Sequence, residues 1–158
     1  ALCLEFGIDT ESIQQALSGY KTIFGRAEKT VLNGHDTLIQ LIKNPTGASE
    51  VLKTVNKDSN LLIAINDNYA DGRDVSWLWD AEFELLKDTE KTIVTSGIRA
   101  NDMALRLKYA GVPSEKIKVI PDLFEAVEEV SSSEDKTEKV TIMPSYTALL
   151  QIKNYKRG

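Results

Sequence analysis

The sequence predicts an α/β fold: a mostly parallel sheet of about six strands with an antiparallel first strand, flanked by helices. Three observations carry this. From Ile42 onward the pattern strand, loop, helix repeats several times, which is how a parallel sheet with crossover helices is written. The run Leu61-Leu62-Ile63-Ala64-Ile65 is apolar throughout, as a buried strand requires. Asn33-Gly34 joins two strand-like runs and suits the positive φ angles of a type I′ hairpin turn, so the first two strands run antiparallel.

Each element follows in order. Residues Ala1 to Gly19 carry apolar Leu2, Leu4, Phe6, Ile8, Ile13, Ala16 and Leu17 and read as one or two short helices, with Asp9 or Thr10 as N-cap. Strands are expected at Glu28 to Leu32, Leu38 to Ile42 (the end of the run from Asp36), Asn60 to Ile65, Lys91 to Thr95, Ile117 to Ile120 and Val140 to Met143. Helices are expected at Ala48 to Val55, Asp74 to Leu86 in broken form, Arg99 to Ala110, Leu123 to Val130 and Tyr146 to Ile152. Gly111 followed by Pro113 ends the third of these helices. The polar stretch Ser131 to Lys139 reads as a surface loop.

The chain has 158 residues, 42% hydrophobic and 27% charged, enough for one ordinary core. A net charge of -5 spread along it argues against nucleic acid as a partner. The single cysteine, Cys3, has no CxxC or His partner nearby, which speaks against a zinc site in this chain and for buried packing. No apolar segment reaches the roughly 20 residues of a transmembrane helix, and no signal peptide is present, so a cytoplasmic location is expected. The chain starts without Met, inside what reads as a helix, and a fragment of a longer polypeptide is expected.

In an open α/β sheet ligands bind beyond the carboxyl ends of the strands, and four segments compete for that place. Asn66 to Asp80, NDNYADGRDVSWLWD, packs Asp67, Asp71, Asp74, Asp80, Arg73, Tyr69, Trp77 and Trp79 into one loop. Asp71 or Asp74 can orient a metal-bound nucleotide, with Arg73 neutralising phosphate or pairing with a carboxylate. Alternatively the charges form a structural network while the tryptophans fill the core or an interface. Lys43-Asn44-Pro45-Thr46-Gly47 leaves a strand and opens a helix, either as an anion site or as an ordinary turn capped by Thr46 or Ser49. Thr95 to Arg99 also ends a strand, and Arg99 can clamp a carboxylate or phosphate. Gly25 to Glu28 precedes the hairpin. His35, beside the hairpin turn, is expected to be solvent-exposed rather than catalytic. A GxxxxGK[ST] phosphate loop, a GxGxxG fingerprint, a GxSxG elbow and a metal-binding His cluster are all absent from the sequence.

With these segments in view, the chain resembles the C-terminal domain of the Mur ligase superfamily, and within it the MurT family of ligase-like subunits. FGRAE at Phe24 to Glu28 is similar to the GRxE opening of that domain, and KNPTG at Lys43 to Gly47 stands in place of its His-Asn-Pro loop. DGRD at Asp71 to Asp74 stands where related ligases carry Gly-Asp-Arg-Asp. SGIRANDMALRLKYAG at Ser96 to Gly111 and MPSYTALLQI at Met143 to Ile152 look specific to MurT.

The resemblance implies a Rossmann-like sheet, with residues 1–24 ending a central ligase domain and linker and residues 25–158 forming the C-terminal domain. It implies ATP-dependent activation of the D-glutamate α-carboxylate of lipid II to an acyl phosphate. Ammonia from a partner glutaminase, GatD, then gives D-isoglutamine for peptidoglycan synthesis at the inner face of the membrane. Carried over by position, Arg26 contacts nucleotide, Lys43, Asn44 and Thr46 line its ribose or adenine side, and Arg73 serves the cofactor. Asp71 is the acidic residue of the closed site, with Asp74 and Asp67 as rivals, and Arg99 faces the substrate. Magnesium, and a zinc ribbon, belong to the central domain. The domain alternatively serves as a docking module for the glutaminase, with Trp77, Trp79 and Tyr146 as anchors. Two departures stand out: Lys43 replaces the usual His, and Asp71-Gly72 reverses the Gly-Asp order.

Overall fold

The computed structural model describes residues 2–19, 25–56 and 58–155, so the expected linker end at Tyr20 to Phe24 lies outside the described residues. Short helices α1 (Leu2–Glu5) and α2 (Thr10–Ser18) come first, and Asp9 caps α2 by accepting the Ser12 amide hydrogen. Neither helix buries a residue, and Leu2, Leu4, Phe6 and Leu17 stand exposed. Cys3 is exposed as well. The expectation of a packed cysteine is thereby corrected: α1 has no core of its own to enter.

The sheet contains β1 (Glu28–Leu32), β2 (His35–Ile39), β3 (Asn60–Ala64), β4 (Ile93–Ser96), β5 (Ile117–Val119) and β6 (Val140–Pro144), in the order β1-β2-β6-β3-β4-β5. β1 pairs antiparallel with β2, and all other pairings are parallel. The hairpin turn forms as its sequence requires, with φ of 48° at Asn33 and 86° at Gly34. Between the strands lie α3 (Pro45–Leu52), α4 (Ala100–Tyr109) and α5 (Leu123–Val130), and α6 (Tyr146–Tyr155) follows β6.

Alternation along β3 divides the core. Leu61 and Ile63, with Ile65 just beyond, join Ala48 and Leu52 of α3 and Met103 and Leu107 of α4 on one face. Leu62 and Ala64 join Leu123, Ala126 and Val127 of α5 and Ala148, Leu149 and Ile152 of α6 on the other. A strand buried on both faces has no polar side to show, which is why this run does not alternate.

Three expectations change here. Asp74 to Leu86 contains no α-helix but two short 3₁₀ turns, Ser76–Trp79 and Phe83–Leu86. The cap of α3 is neither Thr46 nor Ser49 but Asn44, whose Oδ1 accepts the Gly47 amide hydrogen at 2.8 Å. His35 is fully buried, its Nδ1 2.9 Å from the Glu138 carbonyl and its Nε2 3.1 Å from that of Ser133 and 3.1 Å from Lys136 Nζ. The loop before β6 folds over the hairpin tip, a long-range contact that a local turn signal does not contain.

Candidate functional site at the carboxyl edge of the sheet

Parallel pairing brings the ends of β2, β3, β4 and β6 to one edge. The start of β1 reaches the same edge because β1 is antiparallel: Glu28 lies opposite Ile39, and Leu41 N donates to the Gly25 carbonyl at 2.6 Å. Arg26, the Lys43 to Gly47 loop, the Asp67 to Asp80 loop and Arg99 therefore share one edge. A cavity of about 340 Å³ opens there, lined by Gly97, Ile98, Pro121, Asp122, Leu123, Phe124 and Gln151. Another, of about 290 Å³, lies toward the opposite edge around Thr54, Ser59 and Lys139, away from every candidate residue.

Asn66 is the centre of the edge, and it is 3% exposed. Its backbone N donates to Ser145 Oγ at 3.0 Å, and its Oδ1 accepts the Ile98 amide hydrogen at 3.0 Å. Its Nδ2 donates to Thr147 Oγ1 at 3.0 Å and to Gln151 Oε1 at 3.4 Å. One side chain thus ties the ends of β3, β4 and β6. Gly97 is obligatory beside it, because its φ is 87° and a Cβ there would stand 2.6 Å from Asn66 Oδ1 and 2.7 Å from the Ile65 carbonyl oxygen.

The three candidate aspartates are separated rather than clustered. Asp67 Oδ2 accepts from Arg99 Nη2 at 2.7 Å, and this pairing holds the guanidinium more firmly protonated than usual. Asp71 accepts from Thr147 N at 2.7 Å, Thr147 Oγ1 at 2.6 Å and Asn68 N at 3.1 Å, closing the first turn of α6 from outside the helix. Asp74 accepts from Ser76 N at 2.8 Å, a bond that draws its carboxyl below the ordinary value. Arg73 pairs with no carboxylate among the described residues; its guanidinium lies 5.5 Å from the centre of the exposed Tyr69 ring.

Arg26 and Lys43 are exposed, and no carboxylate partner for either is present among the described residues. Together with Arg73 they supply positive charge that no described carboxylate neutralises, a donor set that fits a polyphosphate. Asn44 Oδ1 is committed to its helix cap, and among the described residues its amide nitrogen and the exposed Thr46 hydroxyl keep no partner, which leaves them for a ligand. A metal ion finds no such fit here: among the described residues no three His, Cys, Asp or Glu side chains converge.

The second half of the loop is organised by Arg106, a residue that sequence reasoning missed. Arg106 on α4 is 2% exposed; its Nε donates to the Leu78 carbonyl at 2.8 Å and its Nη2 to the Ala81 carbonyl and to Glu84 Oε1, each at 2.8 Å. Its guanidinium also lies 5.6 Å from the Trp79 ring and 5.5 Å from that of Phe83. Trp77 packs against the core while staying partly exposed. Trp79 is half-exposed and meets the exposed Tyr109 edge-on at 5.7 Å. Asn66 and Thr147 were also missed as individuals, although both stand within the quoted blocks; an Asn directly after a buried strand was the available signal.

Residues 41–149 match the family model described as MurT ligase C-terminal. The chain is 33% identical over 157 residues to the subunit MurT of lipid II isoglutaminyl synthase (glutamine-hydrolyzing) from Streptococcus pneumoniae (strain ATCC BAA-255 / R6), covering 97% of this chain and 35% of that one. It is likewise 33% identical over 149 residues to the subunit of the same name from Staphylococcus aureus (strain COL), covering 92% and 33%. The chain therefore spans about a third of the length of these relatives. Among solved structures, MurF from Acinetobacter baumannii superposes with a TM-score of 0.64 at 18% identity over 98% of this chain and 35% of that one. The bifunctional folylpolyglutamate synthase/dihydrofolate synthase from Yersinia pestis, complexed with AMPPNP and Mn ion, superposes with a TM-score of 0.62 at 14% identity over 95% and 35%.

Proposed function

The chain belongs to the MurT ligase C-terminal family, and on that premise we propose that it is the nucleotide-closing domain of the ATP-dependent ligase subunit of a lipid II isoglutaminyl synthase. Residues 1–24 then end the central ligase domain and linker, and residues 25–158 form the closing domain. The observation that carries this reading is the shared edge on which Arg26, Lys43 and Arg73 stand exposed without carboxylate partners among the described residues.

In the reaction the α-carboxylate oxygen of the D-glutamate residue attacks the γ-phosphorus of ATP, giving an acyl phosphate and ADP. Ammonia from the glutaminase GatD then attacks the acyl carbon and expels phosphate. The acyl phosphate is lost if water arrives first, so a domain that closes over the nucleotide contributes by exclusion as well as by charge. Arg26, Lys43, Asn44 and Thr46 take the nucleotide side, and Arg73 neutralises phosphate. Arg99, steadied by Asp67, faces the acceptor. Asp71 takes the acidic role ahead of Asp74 and Asp67, because it joins the loop after β3 to the first turn of α6, while Asp67 is taken up by Arg99 and Asp74 by its own turn. Magnesium and zinc sit in the central domain. The subunit works in the cytoplasm at the inner membrane face; among the described residues no helix is long and apolar enough to cross a membrane.

The test is the full-length subunit in complex with its glutaminase. Arg26→Ala combined with Lys43→Ala raises the KM for ATP about tenfold or more while glutaminase binding is kept. An unchanged KM for ATP removes the nucleotide from this edge.

A second role, docking of the glutaminase, is favoured by the exposed Trp79 and Tyr109 pair. Trp79→Ala then weakens the complex, and an unchanged dissociation constant excludes the pair from the interface.

A further inference from the structure

Hydrogen-bond direction around Asn66 is set by one backbone group. Ile98 N is a donor, so the amide oxygen of Asn66 must face it, and Nδ2 must then face Thr147 Oγ1. Thr147 Oγ1 also receives Asn68 Nδ2 at 2.9 Å. With two N–H donors on its lone pairs, the hydroxyl has its single hydrogen left for Asp71 Oδ2 at 2.6 Å. Each described group facing Asp71 is a donor: Thr147 N, Thr147 Oγ1 and Asn68 N. The same Asn66 stands beside Asp67, which takes Arg99, and Arg99 N donates to the Ile65 carbonyl at 2.9 Å.

We infer that Asn66 is a positioning residue: acting through the Thr147 hydroxyl it aims the Asp71 carboxylate, and through Ile98 it ties that carboxylate to the Arg99 turn. Asp71 and Arg99 then meet the bound substrate as one unit. This inference rests on the proposed ligase function. A closing domain needs such a tie, because groups brought to a reaction from a separate domain must arrive together in register, and a displacement of about 1 Å lowers the rate by up to about 100-fold. The buried amide supplies what a loop contact cannot. Its two ends have opposite hydrogen-bond polarity, and each end is matched.

The experiment uses the full-length subunit with its glutaminase. Asn66→Asp keeps the size but replaces the donor facing Thr147 by an acceptor, so the Thr147 hydrogen turns away from Asp71. The expected result is a fall in kcat for lipid II amidation of about tenfold or more, with the KM for ATP and glutaminase binding little changed. Thr147→Val produces the same loss, Thr147→Ser recovers most of it, and Asn66→Asp with Thr147→Val is no worse than either alone. Thr147→Ser separates this role from folding, since the serine retains the hydroxyl that the valine lacks. Normal kcat in folded Asn66→Asp, additive losses in the double variant, or equal impairment by Thr147→Ser and Thr147→Val each overturn the inference. Loss of amidation in Asp71→Asn together with normal kcat in Asn66→Asp overturns the inference alone. Normal amidation in both Asp71→Asn and Arg99→Ala overturns the ligase reading and the inference with it.

Discussion

Arg99 reaches from the start of α4 to Asp67, just beyond the end of β3, at 2.7 Å, joining two neighbouring strand ends by a charge-assisted hydrogen bond. The pair is part of the candidate site and part of its scaffold at once. Asp67→Asn keeps the shape and removes the charge, so it lowers the urea midpoint slightly and leaves the arginine less firmly held. Added salt weakens the wild-type contact in the same direction. A midpoint identical in wild type and variant at low salt shows that the pair contributes nothing to folding.

Arg106 predicts a larger effect. Arg106→Leu strands the buried carbonyls of Leu78 and Ala81, and the expected destabilisation is roughly 2–4 kcal/mol by denaturant titration. Because the guanidinium lies against Trp79, tryptophan fluorescence in the native state changes too. Unaltered native fluorescence denies Arg106 its place in the 3₁₀ turns.

Gly97→Ala tests the crowding at the edge directly. A Cβ there meets Asn66 and the Ile65 backbone while φ stays positive. A loss of roughly 2 kcal/mol or more is expected from thermal melts. Near-normal stability requires the Asn66 side chain to have moved, which the Ile98 amide signal reports by NMR.

Glu138 sets an acid limit. Its bond from Lys91, then that from Asn60, hold its carboxyl at about 2 rather than 4.5. A folded value below the unfolded one means stability that is fully present above about 4.5 and is lost as pH falls toward 2. Urea midpoints measured across that window fall with decreasing pH, and Glu138→Gln flattens the slope while lowering stability at neutral pH. An unchanged slope in the variant assigns the acid sensitivity to other carboxylates.

ATP-Mg is expected to bind the isolated chain weakly, because its sequence carries no phosphate loop. Titration followed by backbone amide shifts is expected to move Lys43, Asn44, Thr46 and Gly47 with a dissociation constant in the millimolar range, roughly -4 kcal/mol. Submicromolar binding refutes the division of labour between this domain and a central one.

The strands, the hairpin and the six α-helices were legible because each is written locally. The Leu61 to Ile65 run, the Asn33-Gly34 turn and the Gly111 stop all act on their immediate neighbours. The edge on which the candidate residues gather followed from the same information, since parallel strands put their ends together. The segment Asp74 to Leu86 resisted because its form depends on Arg106, more than twenty residues away in the chain. His35 resisted for a similar reason, being buried by a loop about a hundred residues later.

The sequence by itself determined the strands and α-helices, their order, the family resemblance and the set of charged residues on one edge. Tertiary structure alone decided which of those charges are committed: Asp67 to Arg99, Asp71 to Thr147, Asp74 to its own turn, while Arg26, Lys43 and Arg73 keep theirs exposed. The physical reason is range. Periodicity and turn chemistry act over a few residues, whereas a hydrogen bond between strand ends joins residues such as Asn66 and Thr147 that only the folded sheet brings within 3.0 Å.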